Sequence, residues 1–390
     1  AKIEKLDEDK IKKPIDIYRD RKNSSGLDLS QEDVIDTLQF NGKFKDIKAY
    51  SLINGEDIYS DKEIDIKSPH STDTLGKKYF ADEDITEKAI ENLKEYSFKW
   101  KKYPTEKKAE IFLKFADLIE ENTNEIIEIC AKESGKSIKN SIAEIREAVD
   151  FCRYYSKEAL KLFTTQTFDG PTGELNQYRM VGKGLSFVIS PWNFPIAIFI
   201  GQTVAALITG NVVITKPAEQ SSFAAYYIIK LLFKAGLPSN AISLLLGDGA
   251  LIGKKVINDK KLKNVIFTGS LETAKNIQTN LQKKNNIPTF IAETGGLNCM
   301  IVDTSALTEH VVKDVVNSGF DSAGQRCSAC RILCVEENVY EHTKHTLIGA
   351  MKTQKVGNPE ELSTDIGPVI DTEAFDNINN HIKRFDKVFQ

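Results

Sequence analysis

Cysteine is scarce: the 390-residue chain has six, at positions 130, 152, 299, 327, 330 and 334. That excludes a disulfide scaffold at this length and fits reduced thiols in a cytoplasmic setting. Long apolar runs are also missing. The longest, around residues 195–208 and 224–233, are interrupted by Gly201, Gln202, Thr203 and Lys230. Both fall short of the ~20 apolar residues that span a bilayer. No secretory leader opens the chain. Neither sign of charge prevails: 52 basic against 56 acidic residues leave a net charge of −4, which excludes a dominant basic face for nucleic acid. Methionine is confined to Met180, Met300 and Met351, and Ala1 opens the chain. That start fits either initiator processing or a piece cut from a longer polypeptide.

What is present is an ordinary globular composition, 41% hydrophobic and 28% charged, long enough for two or three domains with a large core. Residues 1–45 are charged and weakly periodic and read as a linker. Residues 47–80 hold short alternating runs with turn signals at Asn54-Gly55, Ser68-Pro69 and Gly76, a strand pattern. From residue 83 to about 164 the period turns helical, as in Ile111, Phe115, Leu118 and Ile119. Residues 170–173 are a turn and 174–183 a hairpin arm. The most regular part follows: strand-like runs at 185–189, 212–215, 242–246, 265–268 and 289–292, separated by helix-like stretches at 196–208, 222–234, 250–258 and 272–284. This alternation predicts an α/β fold with a parallel sheet. Beyond Gly296 the alternation loosens, with strands at 299–302 and 331–335 and helices at 309–320 and 339–353.

Chemistry-bearing residues gather at the strand ends. Cys327 lies in a glycine-bearing loop beside Arg326, a cation that favours the nucleophilic thiolate. A lone cysteine is more often a small core residue, so the segment alone decides nothing. Cys327, Cys330 and Cys334 are spaced three and four apart. No second Cys or His pair completes a zinc site, so no metal is expected. Glu293 ends a strand before Gly295 and Gly296, where it serves as a general base or merely caps a turn. Asn193, in Ser190-Pro191-Trp192-Asn193-Phe194-Pro195, offers an amide donor for an oxyanion or satisfies its own turn. Lys216 and Glu219 suit a ribose grip that disfavours a 2′-phosphate, or a solvated pair. Gly269-Ser270 opens a helix after a strand, a natural anion site, without the G-x-G-x-x-G spacing. Together the five segments supply what covalent aldehyde oxidation requires.

The segments resemble those of the aldehyde dehydrogenase superfamily, from roughly Asp46 to Gln390 and in the family's order. More narrowly the chain is similar to the L-glutamate γ-semialdehyde dehydrogenase module of bifunctional proline-utilization proteins. The cues are residues 172–176 (Thr-Gly-Glu-Leu-Asn), 189–195, 216–220, 292–296 and 322–329. Thr294 and Ala274 depart from the wider superfamily and fit this branch.

The resemblance implies an aldehyde dehydrogenase fold. Residues 46–167 and 185–297 would form a Rossmann-like NAD-binding domain and residues 168–184 the arm of a small β oligomerisation flap. Residues 298–390 would form a truncated catalytic domain, and residues 1–45 the linker from an upstream FAD-dependent proline dehydrogenase domain. The cofactor implied is NAD, the substrate a small aldehyde, and the complete protein a homo-oligomer. By the same resemblance, Cys327 is the nucleophile, Asn193 the oxyanion donor and Glu293 the base that activates water. Ser190, Pro191, Trp192, Lys216, Glu219, Gly269, Ser270, Thr294 and Gly295 meet the cofactor. Phe194, Arg326, Ser328 and Glu147 meet the substrate. The family's later segments belong after Gln390, so this piece alone is expected to be a poor enzyme. Two other readings stand beside this one. A succinate semialdehyde dehydrogenase would keep the chemistry and change the carboxylate contacts. A non-catalytic copy of the fold is disfavoured by Cys327, Glu293, Asn193 and Lys216 occurring together.

Overall fold

The computed structural model describes residue 12 and residues 16–40, 42, 44–285 and 287–385. Most of the first 15 residues of the expected linker, and the end at Gln390, lie outside the described residues.

Helix α1 (Glu32–Asp36) is followed by strands β1 (Ile47–Ala49), β2 (Ser51–Ile53) and β3 (Glu56–Ile58). Asn54 and Gly55 join β2 to β3 with φ of 53° and 80°, the paired positive values that an Asn-Gly hairpin adopts readily. Strands β4 (Glu63–Lys67) and β5 (Thr74–Tyr79) form an antiparallel pair, and β1 adds in parallel to β5.

Four helices follow: α2 (Glu83–Lys102), α3 (Thr105–Glu121), α4 (Thr123–Ser134) and α5 (Ile138–Leu162). Asp82 starts α2 by accepting a hydrogen bond from the Ile85 N–H at 2.8 Å. Lys99, Lys101 and Lys102 favour its C-terminal dipole. Gly135 ends α4 at φ 66°, and a Cβ there would lie 2.8 Å from Pro368 Cγ, so the tight α4–α5 turn demands glycine.

Strands β6 (Gln166–Phe168) and β7 (Asn176–Tyr178) make an exposed antiparallel ribbon. The alternating part then runs β8 (Leu185–Ile189), α6 (Ala197–Ile208), β9 (Val212–Lys216), α7 (Ser222–Lys234), β10 (Ile242–Leu244), α8 (Gly249–Asn258), β11 (Leu262–Gly269), α9 (Leu271–Gln282) and β12 (Thr289–Thr294). The chain continues through β13 (Asn298–Val302), α10 (Thr308–Phe320), β14 (Cys330–Val335), α11 (Glu337–Thr353) and α12 (Thr372–Phe385).

The main sheet has the order β12-β11-β8-β9-β10-β2-β3. Its first five strands are parallel, as the alternation predicts, and β2 and β3 extend it antiparallel. Strands β8 and β9 are buried on both faces, which is why they read as mostly apolar runs and do not alternate. Trp100, fully buried, donates its indole N–H to Leu207 O at 3.0 Å and so ties α2 to the end of α6. Strands β13 and β14 form a separate parallel pair backed by Val302, Val311 and Val315.

Two features depart from the linker expectation for residues 1–45. A short helix, α1, interrupts the stretch, and residues 23 and 24 are buried against α5. Ser24 donates its N–H and Oγ–H to Asp150 at 2.9 Å each. Arg153 binds Asn23 O at 3.1 Å. Among the described residues, no helix is long and apolar enough to cross a membrane.

Candidate active site

Strand order in the parallel sheet reverses between β8 and β11. In open α/β sheets the crevice at such a point, outside the carboxyl ends of the strands, is where ligands bind. Here the residues after β8, β9, β11 and β12 open onto two neighbouring cavities.

The first, of about 590 Å³, lies between α8 and α9, with Ile189, Ile257 and Ile277 as apolar walls and Lys216 at its edge. Lys216 is buried; its ammonium donates to Glu219 Oε1 at 2.8 Å and Pro217 O at 2.9 Å. The same carboxylate oxygen accepts the Gly249 N–H at 3.0 Å, so it holds the first turn of α8 as well. Just past β8, Ser190 Oγ is buried without a hydrogen-bond partner.

The second cavity, of about 490 Å³, is lined by residues 191–193 after β8, 268–270 at the end of β11, 294–295 at the end of β12 and 323–327 of the loop before β14. That loop is unusual. Ser322 and Ala323 take φ of 55° and 56°, and Gly324 follows at 68°. Left-handed backbone costs a non-glycine residue roughly 1 kcal/mol, so other contacts must hold the loop. Arg331 Nη2 donates to Gly324 O at 2.6 Å and Arg326 O at 3.3 Å. Gln325 Nε2 donates to Ser322 O at 3.1 Å and Pro368 O at 3.3 Å, while its Oε1 accepts the Ile370 N–H at 3.0 Å. Asn298 Nδ2 binds Cys327 O at 2.7 Å and Ala329 O at 3.1 Å. The outcome is an exposed Cys327 thiol on a fixed backbone. Asn193 reaches the same loop, donating Nδ2–H to Gln325 O at 2.9 Å, and leaves its own Oδ1 buried and unpaired.

Of the residues picked from sequence, Pro191, Trp192, Asn193, Gly269, Ser270, Thr294, Gly295, Arg326 and Cys327 all line this cavity. Ser270 caps α9 by accepting the Thr273 N–H at 3.1 Å. Glu293 pairs in register with Thr268 on β11, but it is exposed and is not part of the cavity wall. Ser328 is also exposed and outside it. Arg326 is engaged by Asn140 Oδ1 at 2.7 Å, with Nε buried and unpaired. Its Cζ lies 5.8 Å from the centre of the Phe194 ring.

Glu147 faces this corner from α5. Desolvation, then repulsion from Glu144, raises its carboxyl above the usual range, while Lys136 and Arg326 oppose the shift. The residue is open to solvent, and water screens much of that effect. Cys330 and Cys334 lie on β14, half-buried and exposed respectively. Among the described residues no group of three or more acidic, His or Cys side chains is placed to hold a metal.

Sequence reading missed Gln325, Asn298 and Arg331. A signal was available: each is a multi-donor side chain within a few residues of a glycine or a backbone turn.

Comparison with known proteins agrees with this geometry. The aldehyde dehydrogenase family profile matches residues 58–387. The bifunctional protein PutA of Salmonella typhimurium is 41% identical over 384 residues, which is 96% of this chain and 28% of that protein. A 1-pyrroline-5-carboxylate dehydrogenase of Anoxybacillus flavithermus is 36% identical over 338 residues, 85% of this chain and 65% of that one. The crystal structure of proline utilization A from Bdellovibrio bacteriovorus superposes with a TM-score of 0.90 at 31% identity, covering 97% of this chain and 40% of that one. The chain thus spans between about a quarter and two thirds of the length of these relatives. With a thiol and an amide donor in a cavity at the switch point of the sheet, and a profile match over most of its length, the chain belongs to the aldehyde dehydrogenase family.

Proposed function

We propose that this chain carries the site at which L-glutamate γ-semialdehyde is oxidised to L-glutamate with NAD. The observation that carries the reading is the meeting of Asn193 and Cys327 in one cavity at the switch point of the sheet. The names of the relatives support the choice of substrate.

Cys327 attacks the aldehyde carbon as thiolate. The Asn193 amide and the Cys327 backbone N–H hold the resulting oxyanion, where charge develops. Bound NAD supplies the acceptor for the hydride that departs from the hemithioacetal carbon. What stays on Cys327 is an acyl thioester. Glu293 takes a proton from water, the hydroxide attacks the acyl carbon, and Cys327 leaves as thiolate. The residues present fit the cofactor. The cavity between α8 and α9 offers apolar walls for a base, with Lys216 and Glu219 beside it for a ribose. Gly269 and Ser270, at the start of α9, would offer backbone N–H groups to the pyrophosphate. An exposed Glu293 suits a base that moves between water and the thioester.

For the substrate, Phe194 packs on the aliphatic stem, Arg326 and Ser328 meet the carboxylate, and Glu147 meets the amino group. Residues 1–45 connect to a proline dehydrogenase domain, residues 46–167 and 185–297 form the NAD-binding domain, and residues 298–390 belong to the catalytic domain. The β6–β7 ribbon serves oligomer formation.

The test is NADH formation by the complete polypeptide with L-glutamate γ-semialdehyde and with succinate semialdehyde, alongside Cys327→Ala. Preference for the first, lost in the variant, is the expected result. Preference for succinate semialdehyde would keep the mechanism and overturn the substrate. NADH formation that survives Cys327→Ala would overturn the mechanism.

A further inference from the structure

The α4–α5 turn packs behind Trp192 and Asn193, next to the site, and the reaction just described does not use it. Lys136 and Glu144 meet there, both buried, with side chains 5% and 0% exposed. Lys136 Nζ lies 2.8 Å from Glu144 Oε2, an ion pair without an aligned hydrogen bond. Its aligned bond goes elsewhere, to the backbone carbonyl of Asn193 at 2.7 Å. The same ammonium stands 4.4 Å from the centre of the Phe194 ring. Glu144 Oε1 accepts the N–H groups of Ile196 and Ala197 at 2.6 and 3.1 Å. The turn from Asn193 to Ala197 is therefore held at its first carbonyl by the cation and at its last two N–H groups by the anion. A void of only about 10 Å³ separates Lys136, Asn193, Ser322 and Gln325. The turn, the oxyanion donor and the nucleophile loop thus sit in near contact.

A buried ion pair is a weak source of stability, because desolvation offsets most of its attraction. Its value here is placement. Asn193 carries one side-chain bond, to Gln325 O, and an unpaired Oδ1, so its amide direction is set by that single bond together with the placement of its backbone. We infer that Lys136, neutralised by Glu144, is a positioning residue that aims the Asn193 amide at the developing oxyanion and fixes the Phe194 ring beside it. This deepens the proposed reading and rests on its assignment of Asn193 and Cys327.

The experiment is a double-mutant cycle on the complete polypeptide, with Lys136→Met and Asn193→Ala singly and together. Lys136→Met leaves Glu144 as a lone buried charge, so a second variant, Lys136→Met with Glu144→Gln, removes both charges and keeps an oxygen for Ile196 and Ala197. Two readouts are taken: kcat with the semialdehyde, and Cys327-dependent hydrolysis of p-nitrophenyl acetate, which forms the same kind of oxyanion without a dinucleotide or the natural aldehyde. Loss of an oxyanion donor costs about 100-fold or more in rate. We expect Lys136→Met to lower both rates about tenfold or more in the parent and by less than about twofold once Asn193 is alanine, with KM for NAD unchanged. Equal losses in the two backgrounds would overturn the inference. Ester hydrolysis without semialdehyde oxidation would sink the substrate assignment and leave the cycle readable.

Discussion

Arg153 is the best place to test how the amino-terminal segment is attached. It is 3% exposed, yet it carries a full charge on the face of α5. Its guanidinium meets Asp117 at 2.9 Å, Glu120 at 2.7 Å and the Asn23 carbonyl at 3.1 Å. Thus α5, α3 and the segment before α1 share one cation. Arg153→Met keeps the stem and removes the charge and all of these bonds. Breaking a buried ion pair costs about 3–5 kcal/mol. Here the acids left behind are not sealed off, since the Asp117 side chain is 60% exposed and that of Glu120 22%. Both can recover hydration, which brings the expected cost to about 2–3 kcal/mol.

Amide exchange at Ser25 reads that cost directly, because its N–H donates to Glu120 Oε1 at 3.0 Å. Protection there should fall about 30- to 150-fold. The acid limb of the stability curve should move as well. Burial alone would raise the Glu120 carboxyl, but hydrogen bonds from Arg153 and Ser25 overcome it and hold the group below its usual range. A folded carboxyl that binds its proton more weakly than the unfolded one stabilises the fold fully above its unfolded value near ~4.3. That contribution drains away as the pH falls through the lowered folded value. Without Arg153 the burial penalty is unopposed by the cation, and acid destabilisation should begin at a higher pH. Unchanged Ser25 protection together with an unchanged acid limb would refute the reasoning, leaving the segment anchored by its other contacts, such as Ser24 on Asp150 and Asp20 on Lys157.

Three further outcomes are expected. Trp100→Phe removes one of two hydrogen bonds to the Leu207 carbonyl, which still accepts the Gly210 N–H at 2.9 Å, so urea unfolding should show a loss of about 1–2 kcal/mol; a loss below about 0.5 would mean that the indole bond adds little to the fold. Ser322→Gly relieves one left-handed residue in the nucleophile loop, so thermal unfolding should show a gain or no loss, where glycine ordinarily costs about 0.5–1 kcal/mol. A clear drop in Tm would argue that the serine hydroxyl holds the loop. Lys216→Met should weaken NAD binding about tenfold or more in a fluorescence titration, while Cys327-dependent ester hydrolysis stays near the parent rate. Equal affinity for NAD would remove Lys216 from the cofactor site.

Much of the fold was legible because its strands advertise themselves. Strands β8 and β9 are buried on both faces, so 185–189 and 212–215 read as mostly apolar runs broken only by Ser186 and Thr215, and the structure changes only the last residue of β9. The hairpin at Asn54-Gly55 and the helix that opens at Ser222 were equally plain. Site residues at strand ends were legible for a topological reason, since the crevice of such a sheet falls where its strands stop. The residues that hold the site were not, because a lysine or glutamate in a helical stretch reads as a solvated face until tertiary neighbours bury it.

The buried glutamates make the case. Helices α6 and α7 begin without a side-chain cap of their own. Each is capped from outside by a buried acid on the preceding helix pair. Glu144 takes Ile196 and Ala197, and Glu133 takes Phe223 and Ala224 at 2.8 Å each. For Glu133 burial outweighs those two bonds and pushes its carboxyl up to about 7. A helix start has free N–H groups that must find acceptors, so an apolar start such as Pro195-Ile196-Ala197-Ile198-Phe199 implies an acceptor supplied by another element. The absence of a local cap is thus itself a sequence signal. It predicts that some distant acid is buried, and only the fold says which one. In this protein the answer for α6 is the glutamate that also neutralises Lys136, which is how a helix-capping requirement comes to set the position of Asn193.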